Sequence, residues 1–410
     1  MSATHPNASF SALSKGAEVE LAIDKLAFGG KALGRVDGFV VFVDHAVPGQ
    51  KVRVRITRKK SQFAEARVVQ LLSQSPVYTQ PFCPHFGLCG GCQWQDVAYA
   101  EQLRWKRVHV QECLRHLAGL TSGDILPPVA SPQRYYRNKM EFTFAPRAWQ
   151  PANDHAPGRT FHHGGCALGL HVGDSFDQIF NLEHCFLQST QSPAIVQEVR
   201  RWCGQSGLPA YNTRTQRGFW RFLVVREGKS TGQTLVHLIT TDQGDPAVVE
   251  ALAAHLASEF PDITTLVHSR SQKKAQLASG EGSRTLYGPG YIEEKIGDLR
   301  LRVSAQAFLQ TNTAATAGLY DAIRRLGEFS GQETVWDLYC GAGSIALSLA
   351  PHVRRVVGFE LVPAAVSDAY VNSRLNGLDN CQFLAGDLKE SIKETQRGVP
   401  RQPAPAAMFS

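Results

Sequence analysis

The 410-residue chain contains no run of about 18 apolar residues, so no membrane-spanning helix is expected. Its opening residues, Met1-Ser2-Ala3-Thr4-His5-Pro6, lack a basic region followed by an apolar core, so no secretory leader is expected either. The chain therefore reads as cytoplasmic, with no membrane partner. Nine cysteines in that setting argue for metal or thiol chemistry rather than a disulfide framework. Charge is sparse at 19%, against 43% apolar residues, the balance of a globular protein with ample core. The formal net charge of +7 permits a polyanionic partner without demanding one. At about 150 residues per domain, the length suggests two or three domains.

The most informative stretch is Thr334-Val335-Trp336-Asp337-Leu338-Tyr339-Cys340-Gly341-Ala342-Gly343-Ser344-Ile345-Ala346-Leu347. A short apolar run meets an acidic residue, turns through Gly341 and Gly343, and enters a segment of helical period. The pattern predicts a strand, a tight loop and a helix start whose unpaired N–H groups face a ligand. Val356-Val357-Gly358-Phe359-Glu360 predicts a second strand ending in a carboxylate suited to ribose hydroxyls. Cys381-Gln382-Phe383-Leu384-Ala385-Gly386-Asp387 predicts a third, with a carboxylate suited to an adenine edge. No Gly-x-x-Gly continuation follows, so a pyrophosphate is poorly served. The three strand ends describe an S-adenosylmethionine pocket better than a dinucleotide one.

Residues 16–73 hold short alternating runs such as Val19-Glu20-Leu21-Ala22-Ile23 and Val52-Arg53-Val54-Arg55-Ile56, separated by Asp37-Gly38 and Pro48-Gly49. This predicts a small barrel of the oligonucleotide-binding kind. Arg53, Arg55, Arg58, Lys59 and Lys60 would line one strand and its turn as a nucleic-acid groove. The segment resembles a TRAM domain, an RNA-binding β-barrel.

Cys83, Cys89 and Cys92 fall within ten residues, with glycines between them, as cluster and zinc sites require. A fourth ligand is assigned to Cys185, with His85, His184 and Cys166 as substitutes. Spacing alone does not separate zinc from iron–sulfur.

Glu101 to Leu117 has a helical period. Arg134-Tyr135-Tyr136-Arg137-Asn138-Lys139-Met140-Glu141-Phe142 interleaves cations with aromatics, as a strand that pairs phosphates and stacks on bases would. Residues 147–165, with His155, His162 and His163, read as a loop. Residues 192–275 read as an α/β scaffold.

TRAM-like barrel, Cys-x5-Cys-Gly-Gly-Cys, Cys185, Gln310-Thr311-Asn312 and Asp337-Leu338-Tyr339-Cys340-Gly341-Ala342-Gly343 occur in one order. This order resembles the RNA uracil-5-methyltransferase family, in particular the iron–sulfur branch that modifies bacterial 23S ribosomal RNA. The resemblance implies a [4Fe–4S] cluster on Cys83, Cys89, Cys92 and Cys185. It also implies S-adenosylmethionine contacts by Gln310, Tyr339, Ser344, Glu360 and Asp387, and favours RNA contact by Arg134, Tyr136, Arg137 and Lys139. The implied fold is multidomain α/β with β. It comprises a disordered start (1–15), an OB-like TRAM barrel (16–73), an α+β iron–sulfur domain (74–280), a Rossmann-like class I methyltransferase domain (281–390) and an irregular tail (391–410). Ribosomal RNA is favoured over tRNA as the partner, and no obligate protein partner is evident.

Uracil C5 is a weak nucleophile. Its methylation needs a thiolate to add to C6 and a base to remove the C5 proton afterwards. The family's Ser-Cys-Asn-Pro-like nucleophile loop, its Asp-Pro-Pro-Arg-like loop and its glutamate base have no match in the sequence, so no catalytic residue is assigned. Cys340 sits in the glycine loop at a non-catalytic family position and is rejected as a stand-in. Three strands where a methyltransferase sheet has about seven would leave one flank of the Trp336 strand unpaired. The methyltransferase domain is therefore expected to be incomplete and the chain a fragment of little or no activity, with a split enzyme as a second account. The alternatives are a catalytically dead RNA-binding iron–sulfur protein, a tRNA uracil-5-methyltransferase, and a redox or zinc module unrelated to methylation.

Overall fold

Alternation of apolar and polar residues closes the first part of the chain into a barrel. The computed structural model describes residues 13–121, 123, 125–149 and 166–396, in two compact units, Met1–Ala130 and Ser131–Ser410. Residues 1–12, 150–165 with His155, His162 and His163, and 397–410 lie outside the described residues.

In the first unit, β1 (Glu18–Leu26), β2 (Ala32–Val36), β3 (Phe39–Asp44), β4 (Lys51–Lys59) and β5 (Phe63–Ser73) close in the order β1-β2-β3-β5-β4. Inward positions Leu21, Ile23, Val41, Val43, Val52, Val54 and Ile56 are buried, each contributing about 1.5–3 kcal/mol. Leu13, within the start expected to be disordered, is buried in this core as well. A long helix, α1 (Tyr99–Ala118), buries Trp105 against the barrel core. It ends at Gly119, whose φ of +66° suits a left-handed cap.

The second unit holds β6 (Lys139–Ala145), β7 (Ala167–His171), β8 (Ile179–Asn181), α2 (Gln191–Gln205), β9 (Trp220–Glu227), β10 (Thr234–Thr240), α3 (Ala247–Glu259), β11 (Ile263–Arg270) and β12 (Glu281–Tyr287). Its seven strands form one sheet in the order β12-β11-β10-β9-β6-β7-β8. The central β9 and β10 are buried at every position, with Arg221, Arg226 and Glu227 of β9 enclosed beside its apolar residues. A hairpin, β13 (Tyr291–Ile296) with β14 (Leu299–Ser304), leads to α4 (Thr313–Gly327), whose start is capped by Asn312 accepting from the Ala315 N–H at 3.1 Å.

Then come β15 (Thr334–Leu338), α5 (Ser344–Leu349), β16 (Arg355–Glu360), α6 (Pro363–Leu375), β17 (Cys381–Ala385) and α7 (Leu388–Gln396). The three strands are parallel in the order β15-β16-β17, with Asp337 opposite Gly358 and Gly358 opposite Phe383. At the edge of this sheet among the described residues, β15 leaves Trp336 38% and Leu338 45% exposed.

Two expectations are corrected. Arg134–Asn138 is not strand: Tyr135 adopts φ +57°, its N–H donates to the Phe186 carbonyl, and regular pairing begins only at Lys139. Residues 391–396, expected in an irregular tail, complete α7.

Candidate functional site

The C-terminal ends of β15, β16 and β17 meet on one edge of the parallel sheet, where ligands of open α/β folds bind. Tyr339 follows β15 with φ +68° and a ring 74% exposed. Gly341 (φ +56°) and Gly343 (φ +83°) carry the loop through conformations that side chains resist. A Cβ on Gly343 would lie within 3.1 Å of Ala369 and Phe383. Glu360 closes β16 and is fixed from both sides: one carboxylate oxygen accepts the Gly341 N–H at 3.0 Å, the other the Val362 N–H at 2.8 Å. Its carbonyl accepts the Gly386 N–H at 2.9 Å, tying the β17 loop to it. Asp387 stands exposed beyond, its carboxylate accepting from the Lys389 N–H.

Two residues unassigned by the sequence reading support this loop. Asp337 accepts the Ala346 N–H at 3.0 Å, so part of the helix start expected to be open to a ligand is already occupied. Burial pushes its carboxyl up to about 6, against the lowering effect of that N–H. The Tyr320 hydroxyl donates to Ser344 Oγ at 2.7 Å, and burial raises that phenol to about 12. Asp337 lay in plain view within the motif; Tyr320 carried no signal beyond its helical spacing.

The Ala307–Thr313 segment is held from the large sheet. Asn138 donates its amide to the Gln310 carbonyl at 2.8 Å and to Thr313 Oγ1 at 3.0 Å. The buried Arg226 donates to the Ala307 carbonyl at 2.6 Å, and burial lowers its guanidinium to about 10. Gln310 is half-buried and Phe308 is exposed; the Phe308 carbonyl would lie 3.5 Å from a Cβ on Gly341, so this segment and the glycine loop adjoin. The residues expected to hold the donor thus fall into one neighbourhood, braced by Asn138.

Cys340 is buried, and burial, then Asp337 and Glu360, push its thiol well above the ordinary range. A thiolate there is strongly disfavoured. Burial raises Cys381 in the same direction.

Cys83, Cys89 and Cys92 lie in an irregular segment of the first unit, and Cys185 lies in the second. Turns are set by the Phe86 N–H on the Cys83 carbonyl and the Cys89 N–H on the His85 carbonyl, and the Gly91 N–H donates to Cys89 Sγ at 3.3 Å. Among the described residues, no group of three His, Cys, Asp or Glu side chains is drawn together as a metal site.

The basic strand β4 is partly neutralised: Arg53 pairs with Glu20 and Arg55 with Glu18, each at 2.7 Å. Lys59 and Lys60 lie over Phe39 and Phe63. Arg134 lies over Phe186, Arg137 donates to the Lys139 carbonyl, and Lys139 pairs with Glu141. Tyr136 is half-buried. No helix among the described residues is long and apolar enough to cross a membrane.

Comparison with known proteins agrees with this geometry. Residues 13–69 match the TRAM domain, and residues 247–398 match the tRNA (uracil-5-)-methyltransferase family. An uncharacterized RNA methyltransferase of Nitratidesulfovibrio vulgaris is 38% identical over 392 residues, 95% of this chain and 81% of that protein. One of Chlorobaculum tepidum is 36% identical, over 92% of this chain and 78% of that protein. In structure, the chain resembles the Pyrococcus abyssi tRNA (uracil-54, C5)-methyltransferase in complex with S-adenosyl-L-homocysteine. That likeness has a TM-score of 0.65 and 21% identity, over 90% of this chain and 79% of that one. With a TRAM barrel, a glycine loop between carboxylate-tipped parallel strands, and relatives of this similarity, the chain belongs to the TRAM-containing, S-adenosylmethionine-dependent RNA uracil-5-methyltransferase family.

Proposed function

We propose that the strand-end site binds S-adenosylmethionine and serves C5 methylation of a uridine in 23S ribosomal RNA. The carrying observation is Glu360, whose carboxylate is fixed by the Gly341 and Val362 N–H groups at the mouth of the glycine loop. In this reading Glu360 takes the ribose hydroxyls and Asp387 the adenine edge. Tyr339, Gly341, Gly343, Ser344 and Gln310 line the remainder of the donor. The bound donor supplies an electrophilic methyl group on a sulfonium. The protein's residues hold it, orient it and keep the glycine-loop backbone close.

Acceptance of that methyl requires a thiolate. Cys340 and Cys381 do not supply one, because burial holds both as thiols. We therefore assign neither Cys340 nor Cys381 as the nucleophile, and assign the chain donor and RNA binding. Ribosomal RNA is preferred to tRNA on the resemblance carried by Cys83, Cys89, Cys92 and Cys185. Those four are proposed to hold a [4Fe–4S] cluster on the family resemblance, because their spacing alone suits zinc equally. Thiol ligands commonly converge as the metal binds, and no chemical step is routed through the cluster.

The test is tritium transfer from labelled S-adenosylmethionine to unmodified ribosomal RNA and, in parallel, to unmodified tRNA, with iron and sulfide assayed on anaerobically purified protein. The expected result is donor and RNA binding, with any methyl incorporation unaffected by Cys340→Ser. Incorporation abolished by Cys340→Ser would overturn the exclusion of that thiol, and a preference for tRNA would reverse the substrate assignment.

A further inference from the structure

The barrel unit carries an apolar groove that the donor site does not use. Its volume is about 490 Å³, and its lining includes Phe28, Trp94, Lys106, His109 and Val110, a size suited to a small ligand. The loop between β1 and β2 is a tight turn, with Gly29 at φ +92° and Gly30 at φ +101°. This turn presents Phe28 with 82% of its surface exposed. A phenyl ring held in water on a structured turn needs a reason.

The rest of the groove is rigid. Trp94 Nε1 donates to the Gly30 carbonyl at 3.0 Å, and His109 Nε2 bonds the Leu26 carbonyl at 2.8 Å. The His109 ring stands 6.1 Å from Phe28, edge to face, and 5.8 Å from Trp94. Lys106 supplies a cation at the rim. The two carboxylates of α1 are engaged elsewhere, Glu101 by Arg104 and Glu112 by Lys25, so neither neutralises the Lys106 ammonium.

We infer that this groove takes one unstacked base of single-stranded RNA, with its backbone phosphate on Lys106. A base has a π-face for the rings and an attached negative charge for the lysine, whereas an apolar peptide would leave the cation unanswered. In small five-stranded barrels the loop between the first two strands commonly grips single strands. The site rests on the proposed RNA substrate and adds a contact set apart from the partly neutralised β4 stripe.

The experiment is fluorescence anisotropy of the intact chain with labelled single-stranded oligoadenylate, and with its duplex with oligouridylate as the control. Base–aromatic stacking is worth about 1–3 kcal/mol, so Phe28→Ala is expected to weaken single-strand binding by roughly 5- to 150-fold. Duplex binding should stay unchanged, and Phe28→Trp should restore the affinity. Lys106→Gln is expected to flatten the dependence of log affinity on log salt by about 0.7. The exposed ring predicts an unaltered melting temperature for Phe28→Ala; should that variant melt early, the Lys106→Gln slope decides. Wild-type affinity in Phe28→Ala, or equal loss for single strand and duplex, would overturn the base pocket and leave the groove to an apolar peptide. No RNA binding by the unaltered chain would overturn the pocket and the proposed substrate together.

Discussion

Asp337 shows at the level of one residue what the donor loop costs. Its carboxyl titrates near 6 in the folded chain against an ordinary 3.8, because burial outweighs the stabilising Ala346 N–H. A folded-state pKa raised above the unfolded one means that the native chain holds the extra proton between about pH 4 and 6. Stability therefore falls as pH rises through that window, and above it the ionised carboxylate exerts its full penalty, roughly 2–3 kcal/mol at most. Asp337→Asn keeps an oxygen to accept from Ala346 and removes the charge. Thermal melts should show the Asp337→Asn variant more stable than wild type at pH 7.5 and no more stable at pH 4; a gain of equal size at both would refute the burial account. Cys340 illustrates the same physics with the opposite lesson. A thiol lodged between the glycine loop, Gly358 and two carboxylates is a packing residue, and its position within a catalytic-looking motif does not make it a nucleophile.

Among elements, β15 is the exposed one. Among the described residues it pairs with β16 on one side only, and Trp336 and Leu338 stand open on one of its faces. Edge strands with apolar side chains template further pairing. Leu338→Lys is expected to reduce concentration-dependent association in light scattering by severalfold while leaving the melting temperature within a few degrees; unchanged association would place the sticky surface elsewhere. The three parallel strands β15, β16 and β17 were legible as strand-like runs, as were barrel strands β1, β3, β4 and β5, α1, α2, β9, β10 and α3, whereas β11 was not. Periodicity carries such elements well, because burial of one face repeats along the chain. It failed at Arg134–Asn138, where alternating cations and aromatics mimic a strand. A left-handed Tyr135 and bonds to the Phe186–Leu187 backbone set the path instead. It also missed the last turns of α7, whose apolar anchors Leu388 and Ile392 pack on Val357, Phe359 and Leu384.

At the scale of the whole molecule, a barrel unit with aromatic and cationic surface accompanies a unit built around a donor loop. Local motif spelled out the loop residues Gly341, Gly343, Glu360 and Asp387, since each sits at a strand end. The supports of the adjoining Ala307–Thr313 segment and of Ser344, namely Asn138, Arg226 and Tyr320, come from distant sequence and were invisible to any local pattern. The cysteine motif was legible as a motif, and what it holds is left to the proposed function. Every function assigned to the second unit depends on one claim, that the ends of β15, β16 and β17 bind the methyl donor through Glu360. Calorimetric titration of S-adenosyl-L-homocysteine into the intact chain and into Glu360→Ala tests it. Hydrogen bonds to a charged group are worth about 1.5–3 kcal/mol. Saturable binding by the wild type, weakened roughly 10- to 100-fold in the variant, is the expected result. Absence of binding, or equal affinity in the two proteins, would contradict it.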